Sequence, residues 1–127
     1  MGSSTRTDLP QLFAALADPT RLRLLNLMSG REVCVCHFVE ILKQSQPKIS
    51  RHLAYLRRAG LVSARRDGTW MHYSIAWPKD AAARTVLKTA LRSLEADRGM
   101  SGEQARLKKV CCEPGELVKL GDVQGRR

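Results

Sequence analysis

The spacing of apolar residues changes at Gly60, and this change constrains the fold more than any other feature of the chain. Before Gly60 the apolar residues recur every three or four positions, which predicts helices. Beyond it, residues 61–66 and 69–75 read as two strands on either side of Asp67-Gly68. An Asp-Gly pair between two such segments is among the strongest short signals for a β-hairpin. The sequence therefore predicts a mainly helical domain that contains one hairpin.

Two helix starts are marked by a capping residue followed by proline, at Asp18-Pro19 and Ser45-Gln46-Pro47. The helix that begins at Ser45-Gln46-Pro47 follows the predicted helix over residues 36–43 after a short break, as in a helix-turn-helix. A helix-turn-helix with a hairpin directly after it is a winged helix, so the expected fold class is mainly α with a β-hairpin wing. The predicted helices cover residues 9–16, 19–28, 36–43, 46–59 and 80–98, with a short helix over 103–110.

The length of 127 residues allows one domain with an extension. We expect residues 1–98 to form a winged-helix domain for DNA binding and dimerisation. Beyond Gly99 the composition turns polar, so residues 99–127 are expected to form a mobile C-terminal extension.

Positive charge is concentrated on the helix-turn-helix and the hairpin. The chain has 22 Lys and Arg against 12 Asp and Glu, a net charge of +10. Residues 43–66 contain seven of the basic residues and no acidic one. Such an excess predicts a polyanionic partner, either nucleic acid or an anionic membrane surface. Because it lies on the two elements that a winged helix places on DNA, it favours double-stranded DNA over a membrane or a merely solvated face.

The helix over residues 46–59 has an inward face defined by Ile49, Leu53 and Leu56, so Arg51 points outward. Residues near the N-terminus of a recognition helix reach base edges in the major groove. Arg51 has the donor geometry for a guanine edge, and Gln46 has the donor and acceptor geometry for an adenine edge. The candidate DNA-binding residues are Ser45, Gln46, Lys48, Ser50, Arg51, His52, Arg65 and Arg66.

Three basic residues of this helix also have explanations that do not involve DNA. His52 fits a half-buried, locally bonded histidine better than a base contact. Arg57 and Arg58 lie at the C-terminal end of the helix, where interaction with the helix dipole is a sufficient reason for them.

Four cysteines form two close pairs, Cys34 with Cys36 and Cys111 with Cys112. The polar start of the chain lacks a signal-peptide core, and no apolar run approaches the roughly 18 residues of a membrane span. We therefore expect a cytoplasmic protein in which structural disulfides do not form. Side chains at i and i+2 share a face on extended backbone but diverge on a helix, so the two thiols of the first pair converge only if their segment is extended. The candidate metal ligands are Cys34, Cys36, Cys111 and Cys112.

Several motifs resemble those of the ArsR/SmtB metalloregulatory repressors. Residues 45–53 (SQPKISRHL) resemble the recognition-helix signature, and residues 32–36 (EVCVC) resemble the metal box of the arsenic-sensing branch. Residues 18–21 and 68–73 fit the same pattern, and the resemblance covers roughly residues 9–95. It implies a homodimer joined through its first and last helices. It also implies a repressor that leaves its operator DNA when As(III) or Sb(III) binds cysteine thiolates.

The resemblance places Cys34 and Cys36 at ligand positions, but Val39 stands where the family has its usual third cysteine. Cys111 or Cys112, from the same or the partner chain, would replace that ligand. Alternatively the site has two thiols and suits methylated or phenyl arsenicals. The zinc-sensing branch uses His and carboxylate ligands on the last helix, and residues 80–98 contain no His, so that site is not expected.

Two other classes of function use the same residues. The thiol pairs fit a redox sensor on the same scaffold, or a sensor of cadmium or lead. They also fit a soft-metal carrier or buffer whose DNA binding is incidental. Neither an enzyme nor a catalytic cofactor is expected, because the sequence shows no carboxylate pair, no nucleophile–base constellation and no phosphate loop.

Overall fold

The described structure, a computed structural model, covers residues 7–112, with side chains described up to Val110. Within residues 7–112, six α-helices and three strands follow one another, and a π-helical turn over Lys108–Cys112 continues the last helix. The elements are α1 (Leu9–Leu16), α2 (Pro19–Leu27), β1 (Val33–Cys34), α3 (Val35–Leu42), α4 (Gln46–Arg58), β2 (Val62–Asp67), β3 (Trp70–Ile75), α5 (Ala81–Glu95) and α6 (Arg98–Leu107).

Both predicted helix starts are capped as their sequences require. The Asp18 carboxylate accepts the backbone N–H of Arg21 at 3.0 Å, and the Ser45 hydroxyl accepts that of Lys48 at 3.4 Å. Each cap satisfies an N–H that has no partner within its helix. A short turn joins α3 to α4, and these two helices form the predicted helix-turn-helix.

The hairpin is an antiparallel pair in which Asp67 faces Trp70, and Gly68 takes a left-handed φ of 66° at its tip. The structure adds a strand that the sequence analysis had left unassigned. This strand, β1, pairs with β3, so the sheet order is β1-β3-β2. Cys34 on β1 and Arg65 on β2 both face His72 on β3. These three residues therefore form one row across the sheet and share a face.

One hydrophobic core joins the helices to the sheet. It includes fully buried side chains from α2, α3, α4 and α5, among them Leu24, Phe38, Leu53 and Leu87. The inward face predicted for α4 is confirmed, since Ile49, Leu53 and Leu56 are all fully buried. The mainly helical fold with a β-hairpin wing is therefore confirmed as well.

The helix α6 differs from the mobile extension expected after residue 98. Leu107 is fully buried, and the half-buried Arg23 on α2 makes a forked hydrogen bond to the buried Glu103, with Nε to Oε2 at 2.9 Å. Gln104 donates to the Asn26 carbonyl at 2.7 Å. The polar residues of α6 read as solvent-facing in sequence because their partners on α2 lie about 80 positions away. The part of the predicted extension that follows residue 112 lies outside the described residues.

Among the helices described between residues 7 and 112, none combines the length and the apolar character that crossing a membrane requires.

Candidate DNA-binding surface and thiol pair

The outer face of α4 presents the side chains that the sequence analysis assigned to DNA. Gln46, Lys48 and Arg51 are exposed, and Ser50 is half-buried beside them. Among the ion pairs formed within residues 7–110, none includes Lys48 or Arg51. These donors are therefore available to bind phosphates and base edges.

The helix α4 is held in place by Arg21 on α2. The Arg21 guanidinium donates to the carbonyls of Ala15 and Ala14 at 2.9 and 3.0 Å, and so binds the end of α1. It also lies over the Tyr55 ring, 4.0 Å from the centroid, in a cation–π contact. Arg21 thus links the recognition helix to α1 and α2, in addition to the buried face of α4.

His52 contacts this anchor from α4. Its Nδ1 lies 3.3 Å from an Arg21 nitrogen and 3.8 Å from an Asp18 carboxylate oxygen. Burial lowers the pKa of His52, although Asp18 opposes the shift. The side chain is half-buried, as the first of its two sequence interpretations holds, but its partners lie at α2, with Arg21 31 positions away, and are not local. The structure gives no reason to keep it with the residues that face DNA.

The two arginines of the wing differ. Arg65 makes a forked pair with Glu32, with Nε and Nη2 at 2.9 and 2.7 Å from the two carboxylate oxygens. The hydrogen bond from Arg65 lowers the pKa of Glu32. Arg66 is exposed, and no ion pair within residues 7–110 includes it. Arg65 was predicted to contact DNA, but the structure pairs it with Glu32. The two residues lie 33 positions apart in the chain, so the sequence gives no local signal of this pair.

A shallow hollow of about 310 Å³ lies between α4 and β3. Arg57 and Arg58 line it together with Ser50, Ala54 and Tyr73. The hollow adjoins the face that carries Arg51, so the two C-terminal arginines of α4 extend the basic surface as well as interacting with the helix dipole.

The first thiol pair lies where β1 ends and α3 begins. Cys34 has extended backbone, with φ −74° and ψ 143°, and serves as the N-cap residue of α3. Cys36 is inside the helix, yet its Sγ lies 3.0 Å from the Sγ of Cys34. The segment is therefore neither fully extended, as convergence of the thiols was expected to require, nor fully helical. The thiols converge because the helix begins between them.

The surroundings of this pair are partly buried. Cys34 is buried and Cys36 half-buried against the core. His72 faces Cys34 across the strands, but its Nε2 lies 3.9 Å from an Asp67 oxygen. Within the part of the chain that the structure describes, no three His, Cys, Asp or Glu residues are placed to hold a metal ion. The side chains of Cys111 and Cys112 lie outside that part.

A basic recognition helix followed by a wing defines a winged-helix DNA-binding regulator, and comparison with known proteins narrows the class. The family described as "Bacterial regulatory protein, arsR family" matches residues 18–64, from the cap of α2 into β2. The chain belongs to the ArsR family of transcriptional repressors, a family of DNA-binding proteins rather than enzymes. Membership in this family implies binding to operator DNA.

Two curated relatives and one solved structure illustrate the similarity. The arsenical resistance operon repressor of Escherichia coli (strain K12) is 48% identical over 83 residues, which are 65% of this chain and 71% of the relative. The arsenic resistance transcriptional regulator ArsR2 of Pseudomonas putida is 37% identical over 112 residues, 81% of this chain and 96% of the relative. HlyU from Vibrio cholerae N16961 superposes with a TM-score of 0.59 at 27% identity, covering 72% of this chain and 94% of that structure.

Proposed function

We propose that this repressor leaves its operator when As(III) or Sb(III) binds the thiolates of Cys34 and Cys36. The observation that carries the proposal is the Sγ–Sγ distance of 3.0 Å across the start of α3. Soft thiolate ligands select soft ions, and the two sulfurs are already close enough to bind the same ion. The names of the relatives from Escherichia coli and Pseudomonas putida support an arsenical as the effector.

The position of the pair favours the ionised ligand. Metal binding requires thiolates rather than thiols. Cys34 occupies the N-cap position of α3, although its side chain makes no capping hydrogen bond, and the positive end of the helix dipole stabilises negative charge there.

Ion binding changes the start of α3. For zinc, two sulfurs at about 2.3 Å from the ion in tetrahedral geometry lie about 3.8 Å apart. As(III) and Sb(III) carry a lone pair and hold their ligands closer to right angles than zinc does, so the two sulfurs would lie nearer together than in a zinc site, but still further apart than their present 3.0 Å. Because Phe38 and Leu42 of α3 and Leu53 of α4 are buried in the same core, a shift in the first turn of α3 disturbs the helix that reads DNA.

The third ligand in this proposal comes from Cys111 or Cys112. Val110, the residue before them, packs against the same core as Cys36, and the docking of α6 on α2 fixes the helix that leads to them. A third thiolate completes a site for arsenite or antimonite. If neither cysteine takes part, the site has two thiols and suits monoalkyl or phenyl arsenicals.

The operator would be bound by α4 and the wing of a homodimer. The proposed DNA contacts are Ser45, Gln46, Lys48, Ser50, Arg51 and Arg66. For the dimer we propose an interface formed by α1 and α5. On α1, Leu9 and Phe13 lie four positions apart and so share one face of the helix. They are 39% and 53% exposed, and a partner would cover this small apolar patch.

X-ray absorption at the arsenic edge tests the ligand set. Wild-type protein loaded with one equivalent of arsenite should show three sulfur neighbours per arsenic. Cys34→Ser and Cys36→Ser should each show fewer, while the paired variant Cys111→Ser/Cys112→Ser decides between three and two thiols. An arsenic environment that Cys34→Ser and Cys36→Ser leave unchanged would refute the site.

The same sulfur contact favours a second candidate, a thiol redox sensor. Two sulfurs 3.0 Å apart are near enough for oxidation to a disulfide after modest adjustment. In that case peroxide abolishes operator binding, dithiothreitol restores it, and arsenite has no effect. Release by cadmium or lead alone would assign a different soft ion. Metal binding without preference for operator over bulk DNA would favour a soft-metal buffer.

A further inference from the structure

The Glu32–Arg65 contact couples the segment before the thiol pair to the wing. Glu32 lies two positions before Cys34, and Arg65 lies on β2 at the opposite edge of the three-stranded sheet. The carboxylate therefore reaches past β3 to meet the guanidinium, with both of its oxygens engaged at 2.7 and 2.9 Å.

The guanidinium of Arg65 binds the Glu32 carboxylate with the same pair of N–H donors that would bind a phosphate. Arginine presents a planar fork of N–H donors that matches carboxylate and phosphate equally well. The fork of Arg65 is filled by a carboxylate of its own chain, while Arg65 and Glu32 remain 54% and 37% exposed. A DNA phosphate that approaches Arg65 must therefore compete with Glu32.

We propose that Glu32 is a positioning residue that withholds Arg65 from the DNA backbone and so limits the affinity of the repressor for DNA. Arg66 has no such partner within residues 7–110. Of the two arginines of the wing, Arg66 is therefore available to DNA, and Arg65 is held by Glu32. The benefit is a complex weak enough to be released. This inference rests on operator binding by α4 and the wing, and it is independent of the identity of the effector.

The salt dependence of DNA binding tests the proposal. On B-DNA each phosphate contact contributes about −0.9 to the slope of log K against log salt concentration. Glu32→Gln frees Arg65, so its slope should be steeper than the wild-type slope by about 0.9, on operator and non-operator DNA alike. Its advantage over wild type should therefore shrink by about threefold between 50 and 200 mM salt.

Three further variants complete the test. Arg65→Gln should keep the wild-type slope, because Arg65 does not contact phosphate while Glu32 holds it. The double variant Glu32→Gln/Arg65→Gln should return to the wild-type slope. The matched control is Glu40→Gln, which removes the same charge from an exposed position on α3 and should leave the slope unchanged.

Three results would overturn the proposal. If Arg65→Gln lowers the slope by about 0.9 in the wild-type background, Arg65 already binds phosphate. If Glu32→Gln weakens binding, the ion pair supports the conformation of the wing and does not withhold Arg65. If Glu32→Gln keeps the wild-type slope, removing Glu32 does not make Arg65 available to phosphate. Wild-type protein that does not prefer its operator would refute the proposed function instead, so the two failures are distinguishable.

Discussion

Individual arginines have different functions in this molecule because their partners differ. Arg21 stacks on Tyr55 and binds the end of α1, and Arg23 pairs with the buried Glu103. Arg65 is held by Glu32. Arg51 and Arg66 are exposed, and no ion pair within residues 7–110 includes them. The net charge alone therefore overstates the number of cations that are available to DNA.

Replacement of Arg51 and replacement of Lys48 should change DNA binding in different ways. Arg51→Ala should cost about 1–3 kcal/mol on the operator and relax its sequence preference, since a base contact is lost. Lys48→Ala should weaken binding to all sequences alike and reduce the salt slope by about one, since a phosphate contact is lost. Anisotropy titrations with operator and scrambled DNA check both variants. Equal losses on the two DNAs for Arg51→Ala would exclude a base contact.

Among the elements, the contact between α2 and α4 carries a titratable group. Burial lowers the pKa of His52 below its ordinary value of about 6.5. Asp18 and Arg21 face the ring from α2, and Arg51 and Lys48 act on it from its own helix. In the window between the lowered pKa and 6.5 the unfolded chain binds more protons than the folded one, so the free energy of unfolding rises with pH there.

Acidification from pH 7 to pH 5 should therefore lower the stability of the wild-type protein more than that of His52→Gln. Urea unfolding at several pH values measures this difference, because the other acidic and basic groups titrate in both proteins. Parallel stability curves for the two proteins would show that His52 does not contribute.

The docking of α6 on α2 includes one partly buried ion pair, Arg23 with Glu103, beside the buried Leu107 and the hydrogen bond from Gln104 to Asn26. Glu103→Gln leaves Arg23 without its charged partner in a half-buried site, and should lower the free energy of unfolding by about 1–3 kcal/mol. The matched control is Glu95→Gln, which changes an exposed residue at the end of α5. Chemical denaturation checks both variants. A loss of equal size in the control would mean that α6 is not held by this contact.

The order of the elements was predictable because its signals are local. The caps at Asp18 and Ser45, the apolar spacing of α4 and the Asp-Gly turn each act within a few residues. The strand β1 has only two residues and gives no periodicity, and the attachment of α6 depends on partners far along the chain.

The candidate site was predictable in part for the same reason. The outward direction of Arg51 follows from helical spacing alone. The convergence of Cys34 and Cys36 depends on where α3 begins, and the engagement of Arg65 depends on Glu32 across the sheet. No pattern within a short window contains either fact.

At the scale of the whole molecule, the proposed homodimer depends on α1. Phe13→Glu places a charge on the exposed apolar face of this helix and should convert a dimer into monomers, since a buried unpaired charge is costly. Operator affinity should fall with it, because a dimer binds two half-sites together. Sedimentation velocity measures the change, and Ser101→Glu adds the same charge on an exposed residue of α6 as a control. A monomeric wild type would refute the interface.

Release of the operator by arsenite is tested most directly by titrating the operator complex with arsenite and following the fluorescence anisotropy of labelled DNA from upstream of the gene. Wild-type protein should be released at close to stoichiometric arsenite. Cys34→Ser and Cys36→Ser should bind the same DNA with unchanged affinity and should not be released. Retention of the wild-type complex in the presence of excess arsenite and antimonite, or release of both serine variants, would contradict these predictions.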